Sequence, residues 1–481
     1  MRILTFLFSA SLCGLYLSSS LRDPDLGWHV VVGRWILANA TVPTVDHWTM
    51  FAHGQPWVAY SWLPEVVFAA VDRGFSASGL YFLQMTLALA LSFVSYFVYS
   101  ALSRNMLVGG LLGALVTIST FSHFGLRPQS LVWIYLLLTV GLCARIEDRG
   151  LKRFECCGLL VLFSLWANTH TSTLFGLVTV GLWLLSSRGS RIALTAGALS
   201  FSGTLVTPYF GREWLVFLNI AGHPSSFSSI AEFRSPMLAQ YQSAFPILLF
   251  ALLIVIALPQ WRRVEPSKAL LIVGMLAGGA LVSKLLPFAN VLCAALLAQL
   301  WQGSGGLNGI SDGIERVHER ASRAHLVPLL LFIAIAHGVI LAQLALLPRF
   351  DPLSLPVEAM NFAEVEQLPG VVAHDFQSGG YLLYRMSDAS GIPAQRAMMD
   401  GRTNLISEEL WSKHQSAIYG EDGWRDYFEL VPTATIVWNK LSPLTPKLRE
   451  DPEWCKVFEN GLAGRGYAVF VRRETGRCPA A

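Results

Sequence analysis

What most restricts this chain is a succession of apolar runs near bilayer length in its first 348 residues. A helix needs about 20 largely apolar residues to cross the hydrocarbon core, with looser examples down to about 17. Such runs lie at Ile3–Ser20, Leu80–Leu102, Met106–Ser122, Ser130–Ala144, Gly158–Ala167, Leu174–Leu185, Ile192–Val206, Ala244–Leu258, Ala269–Ser283, Phe288–Trp301 and Leu326–Leu347. They predict about eleven transmembrane helices, give or take one or two because several runs are short. The first reads as an uncleaved anchor; Ser18, Ser19 and Ser20 leave a cleaved signal peptide open as the alternative. Of 481 residues, 53% are hydrophobic and 14% charged, too few charges for a soluble domain. The net charge of +3 is small and dispersed, which argues against a nucleic-acid partner.

Basic residues fall in alternate loops: Arg104; Arg145, Arg149, Lys152 and Arg153; Arg188 and Arg191; Arg262, Arg263 and Lys268; Arg316, Arg320 and Arg323. By the positive-inside rule these loops and the amino terminus are cytoplasmic. The intervening loops and everything after Pro348 are then external, in a multi-pass protein of the inner or plasma membrane. The expected division is a transmembrane domain over 1–348, with a first external loop over 21–79, and an extracytoplasmic α/β domain over 349–481. In that tail, "GVVAHDF", "AQRAMMD", "ATIVWNK" and "YAVFVRR" read as strands, with helices at Glu408–Leu430 and Thr445–Val457 between them. The glycines of "QSGGYLLYR" read as a tight turn opening a helix, since a full phosphate-loop spacing is missing. Cys455 and Cys478, in polar surroundings, can pair in an oxidising compartment, and spacing alone leaves that open.

The polar residues that do not suit a plain membrane protein gather on the external side: Asp23, Asp25, His29, Asp46, Glu65, His123, Arg127, Asn168, His170, Glu232, Arg234 and Lys284. Ionisable groups beside spans are costly and mark substrate or ion pathways. Singly, each has a plainer reading, as a snorkelling cation or a helix cap. The stretch "RDPDLGWHVVVGRWILANA" sharpens the choice. Trp28, Val31, Val32, Trp35 and Ile36 recur at helical spacing, predicting an amphipathic helix at the external interface. Pro24 breaks it from the first span, leaving Asp23 and Asp25 at the turn. There they either cap the new helix, or deprotonate an acceptor hydroxyl, or hold a divalent cation.

The pattern D-P-D-x-x-W-H-x-x-x-G-x-x-I from Asp23 to Ile36, followed by "VPTVDHW", "PWVAYSWLPEV", "RPQ", "WANTH", "TPYFGREW", "AEFRSP" and the tail "GGYLLYR…DGR", resembles a family of bacterial polytopic membrane proteins grouped with the GT-C glycosyltransferase superfamily. Oligosaccharyltransferases and protein O-mannosyltransferases are other branches. The resemblance implies a GT-C-like membrane fold, an acidic motif in the first external loop matched by Asp23 and Asp25, and a polyprenyl-phosphate-linked sugar as donor. It also implies an inverting transfer to a glycan, lipid or protein acceptor on the external face. In that chemistry Asp23 or Asp25 is the catalytic base, with His29, Arg127, His170, Arg234 and Lys284 as substrate-binding candidates, the cations facing the departing phosphate. Two other classes stay open. A non-catalytic envelope scaffold explains the tail and needs no acids. A lipid or solute transporter needs polar groups at mid-span and internal repeats, and neither is evident.

Overall fold

The apolar runs fold as helices because a backbone in apolar surroundings must satisfy its own hydrogen bonds. The computed structural model describes residues 2–216, 230–236, 254–255, 258–302, 326–461 and 465–478. Within them the helices of the first part are α1 (Arg2–Leu17), α2 (Leu26–Asn39), α3 (Trp62–Ser103), α4 (Met106–Ser119), α5 (Pro128–Arg149), α6 (Arg153–Ala167), α7 (Thr173–Arg188), α8 (Ser190–Thr204), α9 (Pro266–Leu281), α10 (Leu286–Trp301) and α11 (Leu326–Leu346). Each described apolar run thus lies on a helix. The run Ala244–Leu258 and the basic loop bearing Arg316, Arg320 and Arg323 fall essentially outside the described residues. Three helical stretches, Trp62–Ser103, Pro128–Arg149 and Ser283–Trp301, are long and apolar enough to cross a membrane, and shorter apolar helices accompany them.

Helix α10 is the central post of the bundle, buried from Leu286 through Ala298, and it is apolar nearly all round, as a buried helix must be. Trp133, Phe163, Trp166 and Trp183 belong with it to one buried cluster. The outer helices turn Leu111, Val161, Leu194, Leu270 and Val273 outward, exposed. Such an apolar face is a liability in water and the normal surface in lipid. Helix α3 is two helices joined at Ser76, whose φ of 53° interrupts the spiral; only its second part is the apolar run read from sequence.

After Leu347 come α12 (Val357–Val365), β1 (Val371–His374), α13 (Gly379–Met386), α14 (Glu408–Tyr419), α15 (Arg425–Phe428), β2 (Thr433–Asn439), α16 (Leu444–Glu450), β3 (Trp454–Glu459) and β4 (Tyr467–Arg472). The sheet is four-stranded in the order β1-β2-β4-β3. The first pair is parallel and the other two antiparallel. The paired glycines do open a helix, α13. Three expectations change. The helix expected over Glu408–Leu430 ends at Tyr419, capped by Gly420, and only Arg425–Phe428 is helical beyond it. "AQRAMMD" is no sheet strand; Ala397 instead bridges to Thr49 of the first loop. The helix expected over Thr445–Val457 ends at Glu450, and Trp454–Glu459 is the sheet's edge strand. Cys455 and Cys478 are joined as a disulfide.

The amphipathic helix α2 is real, but it is packed within protein: Leu26 through Gly33 are all buried. Its cover is the tail. A Cβ on Gly27 would stand 2.0 Å from the Gly380 carbonyl oxygen, and one on Gly380 2.2 Å from that of Pro24, so only glycines allow α2 and α13 this close. Trp28, Val31, Val32, Trp48 and Trp57 share a hydrophobic cluster with Leu383 and Ala397. Met50 N–H donates to the Ala397 carbonyl and Ala397 N–H to that of Trp48, binding the first loop to the tail.

Candidate functional site

The two aspartates of the opening turn do different work. Asp23 closes the turn: its Oδ1 accepts the Asp25 N–H at 3.0 Å. Asp25 stands at the start of α2 and makes no capping hydrogen bond. Its Oδ1 instead accepts the Trp28 indole N–H at 3.2 Å. Among the described residues no cation pairs with Asp25, although part of its surface stays open. Burial, and after it the neighbouring Asp23, push the Asp25 carboxyl up to about 7, against the pull of Arg127 and the Trp28 N–H.

Asp23 lies under the head of Arg127, Nε to Oδ2 3.3 Å. Arg127 precedes α5 in extended conformation, and its Nη2 donates to Glu232 Oε1 at 2.7 Å. The other Glu232 oxygen takes Lys284, 3.1 Å away. One carboxylate therefore bridges two of the cations that the sequence offered as phosphate partners. Against the upward push of burial, Arg127 and Lys284 hold the Glu232 carboxyl below the usual carboxylate range. The segment carrying Glu232 is fastened to the turn before α10: Ser283 Oγ–H donates to the Glu232 carbonyl at 2.9 Å, and Ser283 N–H to the Arg234 carbonyl at 3.0 Å.

The histidines lie around this core as neutral rings. His29 Nδ1 is 2.9 Å from Glu65 Oε1, which also accepts the Ser61 hydroxyl. Burial drives the His29 pKa down to about 3. His170 accepts the Ser172 N–H at 3.1 Å, and burial, then Lys284 and Arg127, lower it to about 3. The electrostatic reach of Lys284 and Arg127 to His170 places all three in one neighbourhood. Arg234 is exposed, and its carbonyl accepts the Ser283 N–H. Asp23, Asp25, His29, Arg127, His170 and Lys284 are thus brought together, with Arg234 exposed on the segment that carries Glu232.

Four residues with no role at the site assigned from sequence complete the arrangement: Glu232, Trp28, Gly401 and Arg402. Arg402 is buried between Asp46 and Asp400, 2.7 and 2.5 Å away, and its guanidinium faces the rings of Trp28, Trp48 and Trp57 at 5.4, 5.3 and 4.8 Å. Gly401 touches Asp25 itself. Glu232 stood among the external polar residues and Trp28 in the opening pattern, while the signal for Gly401 and Arg402 was the "DGR" of the tail, which says nothing about what it meets.

The divalent cation considered for Asp23 and Asp25 does not fit this geometry. The Arg127 guanidinium already lies between Asp23 and Glu232, and among the described residues no three His, Cys, Asp or Glu side chains are grouped to hold a metal ion. Spacious cavities lie elsewhere. One of about 590 Å³ runs between α2, α3 and the turn Ser387–Ser390. Another, of about 500 Å³, opens at the far ends of α3, α5 and α10.

Neither a family model nor a curated protein sequence matches the chain. Solved structures do. The apo oligosaccharyltransferase of Archaeoglobus fulgidus superposes with a TM-score of 0.59 at 10% identity, over 91% of this chain and 69% of that one. The archaeal oligosaccharyltransferase AglB of Archaeoglobus fulgidus, in complex with an inhibitory peptide and a dolichol-phosphate, gives 0.58 at 11% identity over 97% and 74%. A third structure of that enzyme, tethered to an acceptor peptide containing an NVT sequon, gives 0.56 at 10% identity over 97% and 74%. At such identities the likeness establishes the shared fold.

Proposed function

We propose that this protein is a membrane glycosyltransferase that moves a sugar from a polyprenyl-phosphate-linked donor to an acceptor on the external face of the membrane. The observation that carries the reading is Asp25. It is a carboxylate kept without a cation partner or a capping duty, in a fold shared with enzymes one of which has been captured with a dolichol-phosphate. Retaining an unpaired acid in a buried setting is costly, and such groups concentrate at functional sites.

The chemistry follows from the donor. Its anomeric carbon bears a phosphate leaving group. Asp25, ionised, takes the proton of the acceptor hydroxyl as that oxygen attacks the anomeric carbon. The carbon–oxygen bond to phosphate breaks, and its electron pair leaves with the lipid phosphate. Displacement from the opposite face inverts the anomeric centre. Arg127 and Lys284 are placed to meet the growing phosphate charge, with His170 and His29 as neutral hydrogen-bonding partners beside them. Arg127 also holds Asp23, which shapes the turn.

The external placement of the site rests on the loops. The basic residues Arg104, Arg145, Arg188, Arg263 and Lys268 lie at the helix ends far from Asp25, which supports a cytoplasmic position for that end. The disulfide Cys455–Cys478 suits a tail in an oxidising compartment. The reading extends to about eleven spans, a cytoplasmic amino terminus and an external α/β region over 349–481.

The test is transfer itself. Purified protein in vesicles of its native lipids, given labelled polyprenyl-phosphate sugars and an extract of envelope glycans, lipids and proteins, should label an acceptor and release free polyprenyl phosphate. If no lipid-linked sugar supports labelling, the scaffold reading takes first place.

A further inference from the structure

The turn Asp400-Gly401-Arg402 belongs to the tail, some 375 residues along the chain from Asp25 by number, yet the two are in contact. A Cβ built on Gly401 would lie 1.6 Å from Asp25 Oδ1 and 2.6 Å from its Cγ, far inside van der Waals distance. The glycine is not required by its own backbone, since Gly401 is not among the residues with positive φ. What excludes a side chain there is the carboxylate.

The turn cannot yield. Asp400 Oδ1 accepts the Arg402 N–H at 3.0 Å, and the Arg402 side chain is locked by two buried ion pairs and three indole rings. Thr403 N–H donates to the Gly401 carbonyl at 3.0 Å. The same oxygen, Asp25 Oδ1, accepts the Trp28 indole N–H, and Trp28 is itself one of the rings facing Arg402. The tail therefore reaches the Asp25 carboxylate twice, directly through Gly401 and through Arg402 by way of Trp28.

We infer that Gly401 is a positioning residue: the Asp400-Gly401-Arg402 turn is a rigid wall against which the Asp25 carboxylate rests, so the tail sets the direction of the catalytic base. The inference builds on the transferase reading and makes the tail a constituent of the site. A segment that only covered the site or selected the acceptor would tolerate a methyl group at 401.

Gly401→Ala tests it, with Gly401→Ala placed on Asp25→Ala as the partner measurement. An alanine backbone fits at 401, and the atom in the way is the end of a short side chain, which must retreat by more than about 1 Å. A displacement of that size at a reacting group lowers turnover by about a hundred-fold. The expected result is that fall in kcat, with KM for the lipid-linked donor within about twofold. The melting temperature should drop by about 2–4 °C in the wild-type background, and not at all where Asp25 is already alanine, because the collision is gone. A stability loss equal in the two backgrounds would show that the contact is not with Asp25 and would overturn the inference. So would a Gly401→Ala protein transferring at the wild-type rate. A wild-type protein that transfers no lipid-linked sugar would overturn the transferase reading, and the positioning role with it.

Discussion

The two ends of the helical bundle both bury charge, and they handle it in opposite ways. At the end near Leu102 and Glu147, Lys268 Nζ is 2.5 Å from Glu147 Oε1, 3.1 Å from Gln299 Oε1 and 3.2 Å from Glu265 Oε2. It also faces the Trp183 ring at 4.9 Å. The other Glu147 oxygen accepts Gln299 Nε2 at 2.7 Å and Trp183 Nε1 at 3.2 Å. The Lys268 ammonium, the Glu147 carboxylate and the Gln299 amide thus satisfy one another. At the end near Asp25, Arg127, Lys284, Asp23 and Glu232 are paired, yet Asp25 has an indole N–H and no cation. A fully paired buried network acts as glue and specifies which helices meet. An unpaired acid beside a paired set must be kept for something other than stability.

The largest effect separating the two ends belongs to the closed one. Lys268→Met removes the cation while leaving Glu147 largely shielded, its side chain 13% exposed, and breaking a buried pair from one side costs about 3–5 kcal/mol. The melting temperature in detergent should fall by well over 5 °C, and adding Glu147→Gln should recover most of the loss, because the abandoned charge is then gone. Whatever folds should transfer at near the wild-type rate. A Lys268→Met protein of normal stability with impaired transfer would reverse the comparison and make this end, beside its 500 Å³ cavity, the functional one.

Next in size is Asp25→Asn, which leaves shape and polarity in place and removes the base. General-base loss lowers the rate by about a hundred-fold or more. In the wild type, transfer should rise with pH through about 7, where Asp25 ionises, and that limb should be missing from the variant. Stability moves the other way. A carboxyl whose pKa is raised by folding is less at home ionised in the folded state than in the unfolded chain, so its contribution falls as pH climbs from about 4 to about 7. Asparagine is free of that penalty. At pH 8, therefore, Asp25→Asn should melt at or above the wild-type temperature, whereas a capping aspartate would show neither gain.

What could be read from residue order alone follows the same division. The helices were legible because an apolar run of bilayer length has few other solutions, and the turn at Asp23 and Asp25 because Pro24 breaks the spiral. The pairings were not. Glu232 is 105 residues from Arg127, and nothing in "AEFRSP" says which cations it meets. The surroundings of α2 were misread for a related reason: Trp28, Val31 and Trp35 look alike whether a membrane surface or another part of the chain covers them, and the tail covers them here through Gly27 and Gly380. "WCKVFE" passed for the end of a helix because only its pairing with β4 makes it a strand.

The smallest effect concerns Glu232, and it tests whether the paired set near Asp25 is glue of the same kind as Lys268 and Glu147. If the donor phosphate is met by Arg127 and Lys284, it comes to cations that already share one carboxylate, and must trade places with it or compete for them. Glu232→Gln keeps the shape and removes one negative charge from beside both. The cations, more exposed to an incoming anion, should bind polyprenyl phosphate about tenfold more tightly, a modest 1.4 kcal/mol for a charge change at contact distance in a half-buried site. Titration of the detergent-solubilised protein with polyprenyl phosphate measures it, and the gain should shrink as salt is raised. If affinity instead falls, Glu232 is a supporting member whose loss lets Arg127 and Lys284 drift. The two ends of the bundle would then differ by Asp25 alone.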